Sequence, residues 1–192
     1  KMVKEKPKGK IGIAHTRWAT HGKPSEKNAH PHVSNNRVFI VHNGIIENYV
    51  ALKEQLIKKG YQFNSQTDSE LIAHQLDFFL NQGSEMLDAM SLLKEKLEGA
   101  YAVAAIDLKN ESHFYLMRNK SPLLLGQSDA GMFAASDPLA LADLTNEFVF
   151  LEDGDVAEVS AKEYKILDKN QKRAIRKITT IDVSSEAMGK NG

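Results

Sequence analysis

Hydrophobic and polar residues follow two different periods along this chain, and the change falls near residue 99. Before it, three segments repeat apolar residues every three or four positions, which is typical of one buried helix face. After it, short runs rich in β-branched and aromatic residues are separated by turn residues, which is typical of strands. The pattern predicts an α+β fold in which helices pack on an antiparallel sheet.

The three predicted helices each carry an apolar face and span residues 49–59, 67–81 and 84–97. Asn48 is expected to cap the first helix, and Gly60 is expected to stop it. The second helix begins with a capping box in which Thr67 and Glu70 accept hydrogen bonds from free backbone amides. Its core-facing residues are expected to be Leu71, Ile72, Leu76 and Phe79.

Strands are predicted on both sides of these helices. Residues 10–16 and 37–42 have strand patterns, and residues 17–36 between them are too rich in Gly, Pro, Asn and His for a regular element. Loops longer than ~12–15 residues in compact domains are usually functional or disordered. Seven short strands are predicted after the helices, over residues 100–107, 113–118, 123–126, 132–136, 148–151, 156–160 and 164–167.

Composition is that of an ordinary globular protein, with 192 residues of which 42% are hydrophobic and 26% charged. We expect one domain over residues 1–183 and a small, polar linker over residues 184–192. Lys plus Arg equals Asp plus Glu at 25 each, which leaves no basic footprint for nucleic acid or an anionic membrane. No apolar run approaches the ~20 residues of a membrane helix. A cysteine-free chain fits a reducing compartment, so a cytoplasmic location is expected.

Groups that bind charge and donate hydrogen bonds are concentrated between His15 and Asn48. This stretch contains five of the seven histidines, the only tryptophan and an Asn-Gly pair. His30 and His32 have the spacing of metal ligands. Acidic residues do not follow them, however, so we predict neither a metal nor a cofactor.

Taken singly, the polar candidates allow two interpretations each. Arg17 offers a rigid fork for a carboxylate or forms a structural ion pair. Asp68 binds a cation or complements a helix dipole. Asn43-Gly44 forms an oxyanion hole or a turn, and Trp18 acts as a lid or a plug. Together, the first three sites describe a pocket for an α-amino acid with a reactive carbonyl.

Several segments carry a family resemblance: HTRWATHG at 15–22, NAHPH at 28–32, HNGIIEN at 42–48 and TDSE at 67–70. They resemble the glutaminase domain of the glucosamine-6-phosphate synthase family, or glutamine–fructose-6-phosphate aminotransferases (isomerising), which are class II glutamine amidotransferases. The resemblance runs from about residue 9 to about residue 177. The Trp18 loop and the NAHPH stretch distinguish this family from its sister amidotransferases.

The resemblance implies an N-terminal-nucleophile hydrolase fold, a four-layer αββα arrangement with two antiparallel sheets. It also implies that a cysteine thiolate attacks the carboxamide of glutamine, that ammonia leaves from the resulting thioester, and that water releases glutamate. A carboxy-terminal sugar-isomerase domain would use the ammonia to make glucosamine 6-phosphate from fructose 6-phosphate. The full-length protein is expected to be a homodimer.

The family's site residues can be carried over position by position. The catalytic pair, Asn43 and Gly44, would hold the oxyanion. The residues expected to bind glutamine are Arg17, Trp18, Thr20, His21 and Asp68. Among these, Arg17 would hold the α-carboxylate and Asp68 the α-ammonium. Thr20 and His21 would line the pocket, and Trp18 would lie on a loop that closes over it.

The chain departs from the family at the nucleophile, because it begins with Lys1 and contains no cysteine. We expect the family's first strands and its cysteine to precede Lys1 and the isomerase domain to follow Gly192. The 192 residues alone are then expected to be inactive. Two alternatives stay open: the glutaminase domain of another class II amidotransferase, making phosphoribosylamine or asparagine, or a catalytically dead module of the same fold that senses glutamine.

Overall fold

The computed structural model describes residues 9–16 and 25–182. Four of the predicted substrate-binding residues, Arg17, Trp18, Thr20 and His21, lie outside these ranges, as does the predicted linker over residues 184–192. The remaining predicted site residues, Asn43, Gly44 and Asp68, all lie within them.

Three α-helices occupy the middle of the described chain: α1 over Tyr49–Lys58, α2 over Ser69–Asn81 and α3 over Met86–Lys94. Strands precede and follow them. They are β1 His32–Ser34, β2 Val38–Ile46, β3 Gly99–Asp107, β4 Phe114–Asn119, β5 Leu124–Ser128, β6 Gly131–Ala135, β7 Glu147–Phe150, β8 Val156–Val159, β9 Tyr164–Leu167, β10 Arg173–Ala174 and β11 Ile178–Thr180. Short 3-10 helices form at Glu26–Asn28 and Pro138–Leu141.

The strands form two antiparallel sheets. The first sheet has the order β1-β2-β3-β4-β8-β9-β10, and the second has the order β11-β7-β5-β6. The chain passes from the first sheet to the second between β4 and β5, and it returns between β7 and β8. The seven strands predicted in the second half are all present within a few residues of their predicted bounds.

Alternating side chains place the hydrophobic core in layers. Val38 and Ile40 of β2 join α1, α2 and α3 in a core on one face of the first sheet. Leu116 of β4 and Val149 of β7 belong to a second core, between the two sheets. The far face of the second sheet packs against the 3-10 helix at Pro138–Leu141, which is the only helical cover of that face in the described residues.

The second helix agrees most closely with its prediction. It ends at Asn81, and the four residues expected to face the core, Leu71, Ile72, Leu76 and Phe79, are all buried. The third helix is shorter than predicted, because regular helix is confined to Met86–Lys94.

Asn48 occupies the N-cap position of α1 as predicted, but its side chain makes no capping hydrogen bond. Its Nδ2 donates to the Lys96 carbonyl at 2.8 Å, and its Oδ1 accepts from the Glu98 amide at 3.1 Å. The side-chain amide of Asn48 is therefore engaged by the backbone of residues 96 and 98 and is not available to cap α1.

The predicted capping box at the start of α2 does not form, because neither Thr67 nor Glu70 bonds to the backbone amide of the other. The Glu70 carboxylate accepts hydrogen bonds from the amides of Asn64 and Ser65 at 2.7–3.1 Å. The Thr67 hydroxyl instead pairs with Ser65 Oγ at 3.0 Å and with His32 Nε2 at 2.9 Å. Glu70 thus organises the loop before the helix, and Thr67 joins that loop to β1.

Acid is expected to remove stability that Glu70 contributes. Burial alone would raise the pKa of its carboxyl, but hydrogen bonds from His74, Asn64 and Ser65 outweigh burial and lower the pKa from 4.5 to about 2. Because the folded-state pKa lies below the unfolded value, the contribution is present above pH 4.5 and is lost as the pH falls toward 2. In denaturant unfolding, the stability gap between wild type and Glu70→Gln should shrink across that range.

The exposed Glu54 on α1 supplies the matched control for this measurement. The stability gap between wild type and Glu54→Gln should be small throughout the measurement. A Glu70→Gln gap that stays constant as the pH falls from 4.5 toward 2 would contradict the assigned hydrogen bonds.

Two predictions in the first part of the chain are wrong. Residues 10–16 form no strand, since no described strand pairs with them. Residues 32–34, predicted as loop, form β1 and pair with β2 through the tight turn at Asn35 and Asn36. Asn35 and Asn36 both have positive φ, 48° and 51°, and asparagine tolerates this conformation better than most residues.

Candidate functional site

Asn43 and Gly44 lie within β2 and not at a turn after it. The strand continues to Ile46 and pairs with β3, with Asn43 opposite Ala102 and Gly44 opposite Tyr101. The turn interpretation of the Asn-Gly pair is therefore wrong. The Asn43 side chain is exposed, so its amide is accessible from solvent.

The backbone at Gly44 accepts no other residue. Its φ is +120°, and a Cβ placed there would overlap the carbonyl of Ala100 on β3. Gly99 is its counterpart on β3, with a φ of +120° and a Cβ position that overlaps the carbonyl of Ile45. The two glycines flank the Ile45–Ala100 pair, so β2 and β3 approach each other closely beside Asn43.

Asp68 precedes α2 and is almost completely buried, at 2% exposure. It makes no side-chain capping bond to the helix. Its Oδ2 accepts a hydrogen bond from the amide of Ile46 at 2.7 Å, which fastens the start of α2 to the end of β2. Oδ1 takes no part in that bond. Helix capping therefore does not explain this carboxylate.

The Ile46–Asp68 hydrogen bond places the Asp68 carboxylate against β2, the strand that carries Asn43. Ile46 lies three positions after Asn43 on the same strand, which corresponds to roughly 10 Å along β2. The oxyanion-hole candidate and the ammonium-binding candidate are thus placed relative to one another by one rigid element, as a pocket for a small amino acid requires.

Histidine–hydroxyl pairs fill the space between the strands and α2. Ser34 Oγ lies 2.8 Å from His74 Nδ1, and His42 Nδ1 lies 2.9 Å from Ser69 Oγ. The His32–Thr67 pair already described belongs to the same layer. These buried pairs hold the Asp68 end of α2 on β1 and β2. The excess of histidine in the first part of the chain is the one feature of the sequence that could have indicated these pairs. The family resemblance gives these histidines no packing role.

His15 lies beside the predicted oxyanion hole, a position that its place in the sequence does not indicate. Its Nε2 is 2.6 Å from Asn43 Oδ1, and its ring stacks on His30 with centroids 4.2 Å apart. His30 contacts His32 edge-on at 4.8 Å. Across the described ranges, no three His, Asp or Glu side chains are grouped so that they could hold a metal ion.

Comparison with known families defines the class of protein. Residues 15–143, which include Asn43, Gly44 and Asp68, match the family described as "Glutamine amidotransferase domain". The match covers most of the chain, so the chain belongs to the glutamine amidotransferase domain family.

Curated relatives refine this assignment. The chain is 45% identical over 179 residues to glutamine–fructose-6-phosphate aminotransferase (isomerising) of Vibrio parahaemolyticus, covering 93% of this chain and 29% of that protein. It is 44% identical over 189 residues to the Haemophilus influenzae protein of the same name, covering 98% and 31%. The chain therefore spans about a third of the length of these relatives and is homologous to their N-terminal glutaminase part.

Solved structures support the fold. Glutamine phosphoribosylpyrophosphate amidotransferase of B. subtilis superposes with a TM-score of 0.60 at 24% identity, over 86% of this chain and 34% of that chain. A structure titled as the allosteric regulatory enzyme of purine biosynthesis gives a TM-score of 0.57 at 26% identity, with the same coverage. The predicted N-terminal-nucleophile hydrolase fold with two antiparallel sheets is confirmed. No helix among residues 9–16 and 25–182 has the length and apolar character needed to cross a membrane.

Proposed function

We propose that the chain is the glutamine-hydrolysing part of a glutamine–fructose-6-phosphate aminotransferase (isomerising), an enzyme of amino-sugar biosynthesis. The observation that carries this proposal is the Ile46–Asp68 hydrogen bond, which fixes the Asp68 carboxylate relative to Asn43. Sequence identity to the relatives of that name supports this substrate over phosphoribosylpyrophosphate or aspartate.

The proposed chemistry divides glutamine recognition between the two ends of the substrate. Asp68 accepts hydrogen bonds from the α-ammonium, and Arg17 holds the α-carboxylate as a bidentate pair. Thr20 and His21 line the pocket, and Trp18 covers it. At the other end, Asn43 Nδ2 and the Gly44 amide donate to the oxygen of the carboxamide as it gains negative charge.

The nucleophile in this proposal is a cysteine thiolate outside these 192 residues, because they contain no cysteine. Its sulfur bonds to the carboxamide carbon, the C–N bond then breaks, and the nitrogen leaves as ammonia after gaining a proton. Water hydrolyses the thioester, which releases glutamate and regenerates the thiol. The protein chain contributes the donors that stabilise both tetrahedral intermediates.

The proposal extends to the rest of the protein. Residues 1–183 belong to the glutaminase domain, and residues 184–192 link it to a sugar-isomerase domain that transfers the ammonia to fructose 6-phosphate. The coverage of about a third of the relatives' length supports such a further domain. We also propose that the full-length protein is a homodimer. Its proposed location is the cytoplasm, because a nucleophilic thiol stays reduced in that compartment.

The purified 192-residue chain is expected to release no glutamate from glutamine above the buffer rate, because the covalent route needs the thiolate. The full-length protein is expected to hydrolyse glutamine and to form glucosamine 6-phosphate when fructose 6-phosphate is added. Turnover by the 192 residues alone would refute the proposed nucleophile. Binding of glutamine by the full-length protein without turnover would instead support the sensing module.

Asp68→Asn is expected to lower kcat/KM for glutamine in the full-length protein by about tenfold to hundredfold. The lost interaction is a charge-assisted hydrogen bond worth roughly 1.5–3 kcal/mol. Stability should change little, because the asparagine carbonyl can still accept the Ile46 amide. Glutamine kinetics and thermal melts on the same samples separate the two effects.

Asp88→Asn is the matched control, since Asp88 is an exposed acid in the first turn of α3. It should leave glutamine kinetics unchanged. Arg17→Lys is the companion test, because lysine keeps the charge and loses the bidentate fork. If neither Asp68→Asn nor Arg17→Lys changes kcat/KM by even about threefold, well below the expected loss, the amino-acid pocket is wrong.

A further inference from the structure

We infer that His15 is a positioning residue that orients the side-chain amide of Asn43 and so determines whether Asn43 presents a donor to the oxyanion. This inference rests on the proposed function, in which Asn43 Nδ2 donates to the carboxamide oxygen. His15 does not itself contact the reacting atoms in this scheme. It acts on the reaction only through Asn43.

The geometry at Asn43 fixes the direction of the hydrogen bond. His15 Nε2 and Asn43 Oδ1 are 2.6 Å apart. An amide oxygen only accepts, so Nε2 must carry the hydrogen and donate. With Oδ1 engaged in this way, the NH₂ group of Asn43 is directed away from His15 and keeps its donors for another acceptor.

The tautomer of His15 therefore decides which end of Asn43 is available. If the hydrogen were on Nδ1, Nε2 would become an acceptor and would draw the Asn43 NH₂ group toward itself. The Nδ1 atom is buried, and it has no hydrogen-bond partner within the described residues. Nothing in the described chain therefore holds a hydrogen in place on Nδ1, whereas Nε2 faces the Asn43 oxygen. The contact with Oδ1 thus corresponds to the Nε2–H form, which frees the Asn43 donor.

The position of the His15 ring is itself determined by the strand that carries Asn43. The ring stacks on His30 with an interplanar angle of 31°. His30 Nδ1 accepts a hydrogen bond from the amide of His42 at 3.3 Å. His42 is the residue before Asn43, so the stack is anchored to the backbone of β2 immediately beside the amide that it orients.

Two variants of similar length test this inference in the full-length protein. His15→Gln keeps a donor near the position of Nε2, whereas His15→Met keeps the length and loses the donor. We expect His15→Met to lower kcat for glutamine about 10- to 100-fold, less than the roughly 10²–10³ that loss of an oxyanion donor costs. KM should change less than about twofold, and His15→Gln should restore kcat to within about threefold of wild type.

A double-mutant cycle tests whether His15 acts through Asn43. In an Asn43→Ala background, His15→Met should cause no further loss of kcat, because the amide that it orients is already absent. A further loss as large as that of His15→Met alone would show that His15 acts elsewhere and would overturn the inference. His113→Met is the control, since His113 lies in the turn between β3 and β4 and bonds to Asn110 and Ser112; its kinetics should equal wild type.

Failure of this inference and failure of the proposed function give different results. If the full-length protein releases no glutamate from glutamine, the proposed function is wrong. If it does so and Asn43→Ala leaves kcat unchanged, the proposed role of Asn43 in the oxyanion hole is wrong. If Asn43→Ala is impaired and His15→Met is normal, only the role of His15 is wrong. Should His15→Met not fold, the imidazole ¹⁵N shifts of the wild-type protein decide the question. The Nε2–H tautomer supports the inference, and the Nδ1–H tautomer overturns it.

Discussion

Replacing Asn43 with alanine is expected to lower kcat for glutamine hydrolysis by roughly 10²–10³ while KM changes little. The neutral carboxamide oxygen of the bound substrate needs the donor less than the charged oxygen of the tetrahedral intermediate does. Loss of Nδ2 therefore acts mainly on the transition state. Steady-state kinetics of glutamate release by the full-length protein measure both constants.

Asn170→Ala is the control for this experiment, because Asn170 is an exposed asparagine in the turn between β9 and β10. Its kinetics should match those of wild type. A large increase in KM with unchanged kcat in Asn43→Ala would make Asn43 a residue for ground-state binding and not for the oxyanion. Near-normal kinetics would remove it from the site altogether.

Gly44→Ala is expected to reduce the free energy of unfolding by roughly 3–5 kcal/mol, the sum of backbone strain and overpacking. The strain comes from a φ of +120°, and the overpacking comes from the overlap between the new Cβ and the Ala100 carbonyl. Since Ala100 belongs to the central ladder between β2 and β3, relief would require those strands to separate. Urea unfolding monitored by circular dichroism measures the loss.

Gly12→Ala provides the comparison, because a Cβ at Gly12 would have no atom within 4 Å and no positive φ to oppose. Its stability should equal that of wild type within the usual error. If Gly44→Ala were as stable as Gly12→Ala, the close approach of β2 and β3 beside Asn43 would be wrong.

Periodicity predicted the elements whose apolar residues repeat regularly. The second helix was predicted from the repeat that includes Ile72, Leu76 and Phe79, although nearly all of its residues are buried. The strands of the second half were also predicted, because β-branched and aromatic residues alternate with turn residues there. Their division between two sheets could not be predicted, because strand order depends on contacts between residues far apart in the chain.

The errors arise where a tertiary partner competes with a local pattern. Asn48 has the sequence position of a helix cap, yet the loop at Lys96 and Glu98 takes both ends of its amide. The Asn43-Gly44 pair has the composition of a turn, yet the ladder with β3 continues through it. In both cases the partner lies far along the chain, on the other side of all three helices and beyond the reach of any local rule.

In the candidate site, too, the sequence indicated residues but not the long-range contacts between them. The resemblance named Asn43, Gly44 and Asp68, and their functional roles stay predictions. What the residues alone could not indicate is the bond between Ile46 and Asp68 or the contact between His15 and Asn43. Each joins positions more than 20 residues apart, and neither follows from residue type or spacing.

The Ile46 amide also makes the site observable without any label on the substrate. Its hydrogen is held by the Asp68 carboxylate in a buried position, so its exchange with deuterium should be slow compared with that of neighbouring amides. An ammonium group arriving at the same carboxylate would withdraw electron density from Oδ2 and shift the Ile46 resonance. A single backbone signal can then report occupancy of the amino-acid pocket during a titration, independently of turnover.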